Sequence, residues 1–136
     1  MTPDAFKTLI RKHVEGRLPD LKVYWPNVQR ADEPGVQEEH AQGYFRDVGG
    51  GAVTYGVGAR REAYTYLLFV SCRCPEGTAE SAADSLAWAV VRGFDSNNTP
   101  RGVRVANKRP RVDGLIDGMY QVTAVVELTF DYSENE

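Results

Sequence analysis

Cysteine and histidine are scarce in this chain, with two of each among 136 residues. Cys72 and Cys74 are two positions apart, so on a strand they point to the same face, at a spacing that is poor for a disulfide. We expect two buried thiols rather than a disulfide framework or a metal site. With only two histidines in the chain, the acid–histidine cluster at residues 38–40 is not expected to form a catalytic triad. The sequence therefore predicts no enzymatic activity, no cofactor and no metal.

Long apolar runs are also absent. No segment approaches the roughly 20 residues of a membrane-spanning helix, and residues 1–16 lack the apolar core of a signal peptide. The formal net charge of −3 argues against a protein that coats DNA. A chain of 136 residues fits one domain, here residues 1–136, which can bury about 68% of its unfolded surface.

Two segments have helical periodicity. The first begins after a Thr2 cap and ends at Gly16, and His13 lies on its apolar stripe, which predicts a packed or half-buried histidine. The second runs from a Thr78 cap to about Gly93. Its core-facing arc consists of Ala79, Ala82, Ala83, Leu86, Ala87 and Val90.

Trp88 projects from the polar arc of the second predicted helix, with Val91 beside it. An exposed tryptophan leaves a large apolar area in water unless something covers it. Either a loop of the same chain folds over it or a second subunit does. Because interface anchors are enriched in tryptophan, Trp88 and Val91 are candidate subunit contacts.

The remaining pattern predicts strands. Short strands are expected at residues 21–25, 44–48, 52–57, 103–107 and 111–116, with a bending glycine break at 49–51 and a hairpin turn at 117–118. Residues 64–73 are apolar on both faces, which predicts a central strand covered on both sides, with a neighbouring subunit able to supply the second cover. Residues 119–132 form the longest strand, whose ends could project beyond the domain and pair elsewhere.

These elements predict an α+β fold: a mixed, largely antiparallel, curved β-sheet with two helices packed on one face. Residues 31–42 read as an acidic loop, and residues 133–136 as a frayed acidic tail.

Five cations lie within eleven residues, namely Arg101, Arg104, Lys108, Arg109 and Arg111. They could form a solvated edge that blocks unwanted strand pairing, pair with an acidic surface of another subunit, or contact DNA phosphates. No aromatic residue lies among them, so there is no stacking platform for single strands.

The order and texture of the chain resemble those of the tail terminator proteins of long-tailed bacteriophages, the class typified by the lambda gene U product. The resemblance covers residues 6–132. It rests on these features: Gly56, Gly58 and Arg60; the sequence Cys-Pro-Glu-Gly-Thr at 74–78; Ala-x-x-Ala-Ala-Asp-x-Leu-Ala at 79–87; Phe94; Gly102-Val103; and Tyr-Gln-Val-x-x-x-Val at 120–126.

This resemblance implies a helix-backed sheet subunit that assembles into a ring, usually a homohexamer. Such a ring caps the finished tail tube, ends tube polymerisation and provides the surface for the head connector, while DNA passes through its pore without specific binding. It would lie at the head-proximal end of the virion tail, and in the host cytoplasm during assembly. Trp88, Val91 and Arg60 would be subunit contacts, and the five cations would lie at an interface or ring edge.

Two alternatives remain open from the sequence. One is a head–tail joining or neck protein of similar ring architecture. The other, from a different class, is a small nucleic-acid-binding module that uses the basic segment 101–111.

Overall fold

The residues that the structure describes form two helices and one five-stranded sheet. The computed structural model describes residues 1–26, 38–55, 59–75 and 80–132. The elements are α1 (Pro3–Arg17), β1 (Val23–Tyr24), β2 (His40–Tyr55), β3 (Ala59–Pro75), α2 (Glu80–Arg92), β4 (Val103–Ile116) and β5 (Met119–Tyr132). The strand order is β1-β2-β3-β5-β4, with β1 parallel to β2 and the other pairs antiparallel. The predicted α+β fold, with a curved and mixed sheet, is confirmed.

Helix α1 begins as the sequence indicates. The Thr2 hydroxyl accepts a hydrogen bond from the Ala5 amide at 3.2 Å, and Asp4 lies in the first turn, where a carboxylate is favourable. The apolar stripe buries Phe6 completely, and its ring stacks on Phe130 of β5 at 4.3 Å. These contacts fix α1 on one face of the sheet.

Helix α2 packs on the same face. Its small residues Ala83 and Ala87 are buried, which lets the helix lie close to the strands. His13 Nε2 donates to the Gly93 carbonyl at 2.5 Å, so the predicted half-buried histidine ties α1 to the end of α2. The predicted Thr78 cap lies outside the described residues.

Strand β2 corrects the prediction of two short strands separated by a flexible break. It is continuous, and a bulge between Asp47 and Gly49 stands where the break was predicted. Gly49 adopts φ +117° and donates its amide to Asp47 Oδ1 at 2.7 Å. A bulge shifts the alternation of side chains by one position, which is why the pattern looked interrupted. Residues 40–42, predicted as part of an acidic loop, belong to this strand; residues 27–37 lie outside the description.

Strand β4 corrects a second split. It is one strand with bulges between Val105 and Asn107 and between Val112 and Gly114, where two short strands were predicted. The following turn is confirmed, because Asp117 at φ 53° and Gly118 at φ 77° are the two positive-φ residues of a type I′ hairpin.

Strand β5 has the predicted bounds but not the predicted overhang. It pairs with β3 from Met119 to Tyr132 and with β4 from Met119 to Phe130. The expectation that its ends pair outside the domain is therefore wrong, because β5 pairs with β3 over its whole length. The predicted frayed tail, 133–136, lies outside the described residues.

The core lies between the helices and one face of the sheet. On β3 this face carries Leu68, Val70 and Cys72, all fully buried. The cysteines are free thiols, as expected, and burial raises the pKa of Cys72 to about 12 and that of Cys74 to about 11. Both thiols are therefore protonated at neutral pH.

Candidate interaction surfaces

The face of the sheet opposite the helices is the most distinctive surface of the molecule. Alternation along β3 places Thr65, Leu67, Phe69 and Ser71 on it. Register adds Tyr44 of β2, opposite Phe69, and Val125 of β5, on the other side of Phe69. We call this side the open face, because both described helices pack on the opposite one.

An apolar patch lies at the centre of the open face. The rings of Tyr44 and Phe69 stack with centroids 4.8 Å apart, and Tyr44 remains 43% exposed. Leu67 and Val125 are half-buried beside them. Phe69 itself is only 7% exposed, so the part of the patch that reaches solvent consists of Tyr44 and the half-buried Leu67 and Val125.

Arginines border this patch. The guanidinium of Arg111 lies 5.9 Å from the centre of the Phe69 ring, and Arg109 is exposed on the same face. Both line a pocket of about 270 Å³. Its remaining lining residues are Leu67, Phe69, Asn107, Val125 and Glu127. An apolar floor with a cationic rim suits a partner that combines an aromatic or aliphatic side chain with a carboxylate.

Hydrogen bonds between side chains order the rest of the open face. Thr65 and Thr129 are joined hydroxyl to hydroxyl at 3.0 Å, as are Ser71 and Thr123 at 3.0 Å. Asp113 accepts from Thr123, Gln121 and Arg111. Burial alone would raise the pKa of Asp113, but these hydrogen bonds outweigh it and lower the pKa.

The five predicted cations do not form one patch. Arg104 pairs with Asp131 at 3.0 Å, Lys108 pairs with Asp95, and Arg111 pairs with Asp113 at 2.9 Å. Arg101 is exposed in the turn before β4.

Strand alternation explains this separation. Register places Arg104, Arg109 and Arg111 on the open face and Lys108 on the helix side. β4 is an edge of the sheet, as one of the sequence interpretations has it. Its two bulges and Pro110 add to the cations in discouraging further strand pairing.

The outer side of α2 carries the predicted tryptophan. Trp88 is 39% exposed, and the Arg92 guanidinium lies 5.7 Å from the centre of its ring. Val91, predicted to flank it as a subunit contact, is instead only 3% exposed and lies in the core. At 100° per residue, Val91 falls beside Ala87 and Val90 on the buried arc. Of the predicted pair Trp88 and Val91, only Trp88 can therefore be reached by a partner.

The structure also shows where Arg60 and the predicted acid–histidine cluster lie. Arg60 lies in β3 opposite Thr54 of β2, and its role stays a prediction. His40 is buried at the start of β2, with Nδ1 donating to the Glu38 carbonyl at 2.7 Å. Its ring packs edge-on against Tyr24, so the acid–histidine cluster of the sequence forms a packing contact.

Two further classes of site have no candidate in the described part of the chain. Among those residues, no three His, Cys, Asp or Glu side chains are grouped to hold a metal ion. Neither described helix combines the length and the apolar character needed to cross a bilayer.

Comparison with known proteins identifies a similar fold but indicates no function. No protein-family model matches the chain, and no curated protein matches it. A solved structure with a TM-score of 0.70 is similar over 99% of each chain, with 19% of residues identical. The printed name of that protein states no function. The likeness therefore shows that this arrangement of helices and strands recurs in another protein.

Proposed function

We propose that this chain is a structural subunit that assembles into a ring, caps a phage tail tube, ends its polymerisation and provides the head-joining surface. It would belong to the virion, at the head-proximal end of the tail, and to the host cytoplasm during assembly. Its partners would be other copies of itself, most simply six in a ring, the tube protein and the head connector. DNA would pass through the pore without specific binding.

The observation that carries this proposal is the open face. The subunit buries one side of its sheet under two helices and leaves an apolar patch with an arginine rim on the other. Apolar patches bordered by polar residues mark interaction sites. A subunit whose two layers present different surfaces can make heterologous contacts, and those contacts close into rings when the rotation between subunits allows it. The order of motifs shared with tail terminators supports the same role.

A head–tail joining protein fits the same subunit design. It would use a ring of similar architecture but would bind the portal or connector rather than the tube. The partner that each ring retains therefore separates the two functions.

A nucleic-acid-binding module is disfavoured by the placement of the cations. Three of the five are paired with carboxylates of the same chain; of the other two, Arg109 lies on β4 and Arg101 in the turn before it. A phosphate-binding face needs several cations free on one surface.

Native mass spectrometry over a concentration series tests the ring directly. We expect a closed oligomer near six copies. A set of open chains of every length would contradict a closed ring. A parallel DNA-binding titration should show no affinity that falls steeply with salt; strong salt-dependent binding would favour the nucleic-acid alternative.

A capping assay separates terminator from joiner. Purified protein is added to growing tubes of the cognate tube protein, and tube lengths are measured by electron microscopy. A terminator stops elongation and decorates one tube end. Binding to the connector with no effect on tube length would assign the chain to the joining class.

A further inference from the structure

We propose that Trp88 on the outer side of α2 of one copy docks into the arginine-rimmed pocket on the open face of the next copy. This inference rests on the ring proposed above and names the two surfaces that would build it. The first surface is the outer side of α2, formed by exposed Trp88 and Ser85 and half-buried Asp84. The second is the pocket bordered by Arg109 and Arg111.

The two surfaces cannot meet within one chain. α2 packs on the covered side of the sheet, with Trp88 on the helix side away from the core. The pocket lies on the opposite side of the same sheet. A contact between them requires two copies and uses a different surface of each, which is the heterologous geometry of a ring.

The chemistry of the two surfaces is complementary. Trp88 is partly exposed, and the pocket supplies an apolar floor of Leu67, Phe69 and Val125. Indole rings bind best where apolar contact is combined with a guanidinium over the ring face. Arg109 stands at the rim to provide such a group, whereas Arg111 already faces Phe69 and pairs with Asp113.

Charge complementarity selects a second copy as the occupant. Asp84 lies one helical turn before Trp88, on the same side of α2. Among the described residues, neither Asp84 nor Arg109 has an ionic partner, whereas Arg111 is already paired with Asp113. A neighbouring α2 that inserts Trp88 would bring the Asp84 carboxylate towards Arg109. The small side chains of Ser81 and Ser85, both exposed, leave room for close approach.

The first test uses three variants that are each compared with the wild-type chain by native mass spectrometry and sedimentation. Trp88→Ala removes the inserted side chain, and Arg109→Glu reverses the rim of the pocket. Lys12→Glu makes the same charge change on the exposed side of α1 and serves as the control. We expect the first two to weaken assembly at least about tenfold, with unchanged circular dichroism, and the control to assemble normally.

Mixing the two defective chains gives the sharpest result. Trp88→Ala retains an intact pocket, and Arg109→Glu retains an intact tryptophan, so a mixture has one usable contact. We expect heterodimers of one copy each and no larger species. Rings from the mixture, or no association at all, would overturn the proposed contact.

A charge exchange tests the predicted ion pair. Asp84→Arg and Arg109→Asp should each weaken assembly, and the chain with both substitutions should regain at least about tenfold of the lost affinity. Failure of the double variant to recover would remove Asp84–Arg109 from the contact.

The outcomes distinguish this inference from the ring itself. A wild-type closed oligomer that persists in Trp88→Ala and Arg109→Glu overturns the contact and leaves the ring proposal standing. A wild-type chain that stays monomeric at every concentration overturns the self-contact, and the tube-capping assay then decides the proposed function.

Discussion

The two faces of one strand, β3, differ in what covers them: the helices pack on one face and not on the other. Leu68 and Leu67 are neighbours with the same side chain. Leu68 is fully buried under the helices, whereas Leu67 is half-buried on the open face and lines the pocket there. The covered face is held by apolar packing, and the open face by hydroxyl pairs and arginines. One side of the strand therefore builds the domain, and the other is available to a partner.

The contrast separates stability from recognition. Burial of apolar area contributes most of the folding free energy, and the covered face concentrates it. The open face retains apolar area that water still reaches, which is the kind of surface that gains most from association. Substitutions on the two faces should therefore have different readouts.

The largest expected effect is on the free energy of unfolding, when Leu68 and Leu67 are replaced by alanine in two separate variants. Leu68→Ala should lower the free energy of unfolding by about 2–5 kcal/mol, because it removes packed atoms and leaves a cavity. Leu67→Ala should cost about 1 kcal/mol or less, because its site is already half open. Chemical denaturation of both variants measures the difference. Equal losses would show that the open face contributes to the core.

A single added methyl group should sharpen the contrast on the covered side. A Cβ at Gly43 would lie 2.3 Å from the Trp25 ring, and that ring is held by a 3.1 Å hydrogen bond to Glu15. Gly43→Ala should therefore lower the unfolding free energy by about 1–3 kcal/mol through overpacking.

The matched control is Gly16→Ala in α1, where nothing lies within 4 Å of the new Cβ. It should raise stability by up to about 1 kcal/mol. Thermal melts of both variants give the comparison, and a tolerated Gly43→Ala would mean that Trp25 moves freely.

Acid should weaken the open face through Asp113. Its folded-state pKa lies below the ordinary value of 3.8, so the stability that it contributes is complete above that value and is lost as the pH falls through the lower folded pKa. Asp113→Asn should cost about 1 kcal/mol at pH 7, and the cost should shrink below pH 3.8. Urea unfolding at pH 7 and pH 3 checks this, with exposed Asp20→Asn as the control. If Asp113→Asn lowers the free energy of unfolding equally at both pH values, the ionised carboxylate of Asp113 does not stabilise the fold.

The last expected effect is on the reactivity of the cysteines and leaves stability unchanged. Cys72 and Cys74 have pKa values of about 12 and about 11 and lie on the covered side, so a thiol reagent should react slowly with the folded chain. Gln42→Cys, at a position exposed on the open face, should introduce a thiol that reacts roughly 100-fold faster. Ellman's reagent at pH 8 measures both rates. Rapid labelling of the native thiols would show that the covered face opens.

Sequence patterns predicted the elements that obey simple periodicity. Both helices, the bounds of β5 and the Asp117–Gly118 turn agree with the structure. The splits predicted in β2 and β4 were wrong because each strand contains bulges, and a bulge breaks the two-residue repeat without ending the strand.

The candidate surfaces were predictable only in part. Trp88 stood out because a large apolar side chain on a polar arc is unusual, whereas Val91 was misplaced by a small error in the helical phase. Tyr44, Phe69 and Val125 meet only through the pairing of β2, β3 and β5, which a single sequence does not reveal. The apolar residues on both faces of residues 64–73 were the one signal that pointed to them.

The position of β5 determines when the open face is completed as the chain is synthesised. β5 lies between β3 and β4, so neither of these two strands can pair with it until residues 119–132 have left the ribosome. Pairing across such long sequence separations is slow compared with local hairpins. Val125 reaches the pocket only with β5, so a chain that has not yet emerged as far as β5 cannot present the finished pocket. The proposed binding of a second copy at the open face would therefore wait until residues 119–132 have been synthesised.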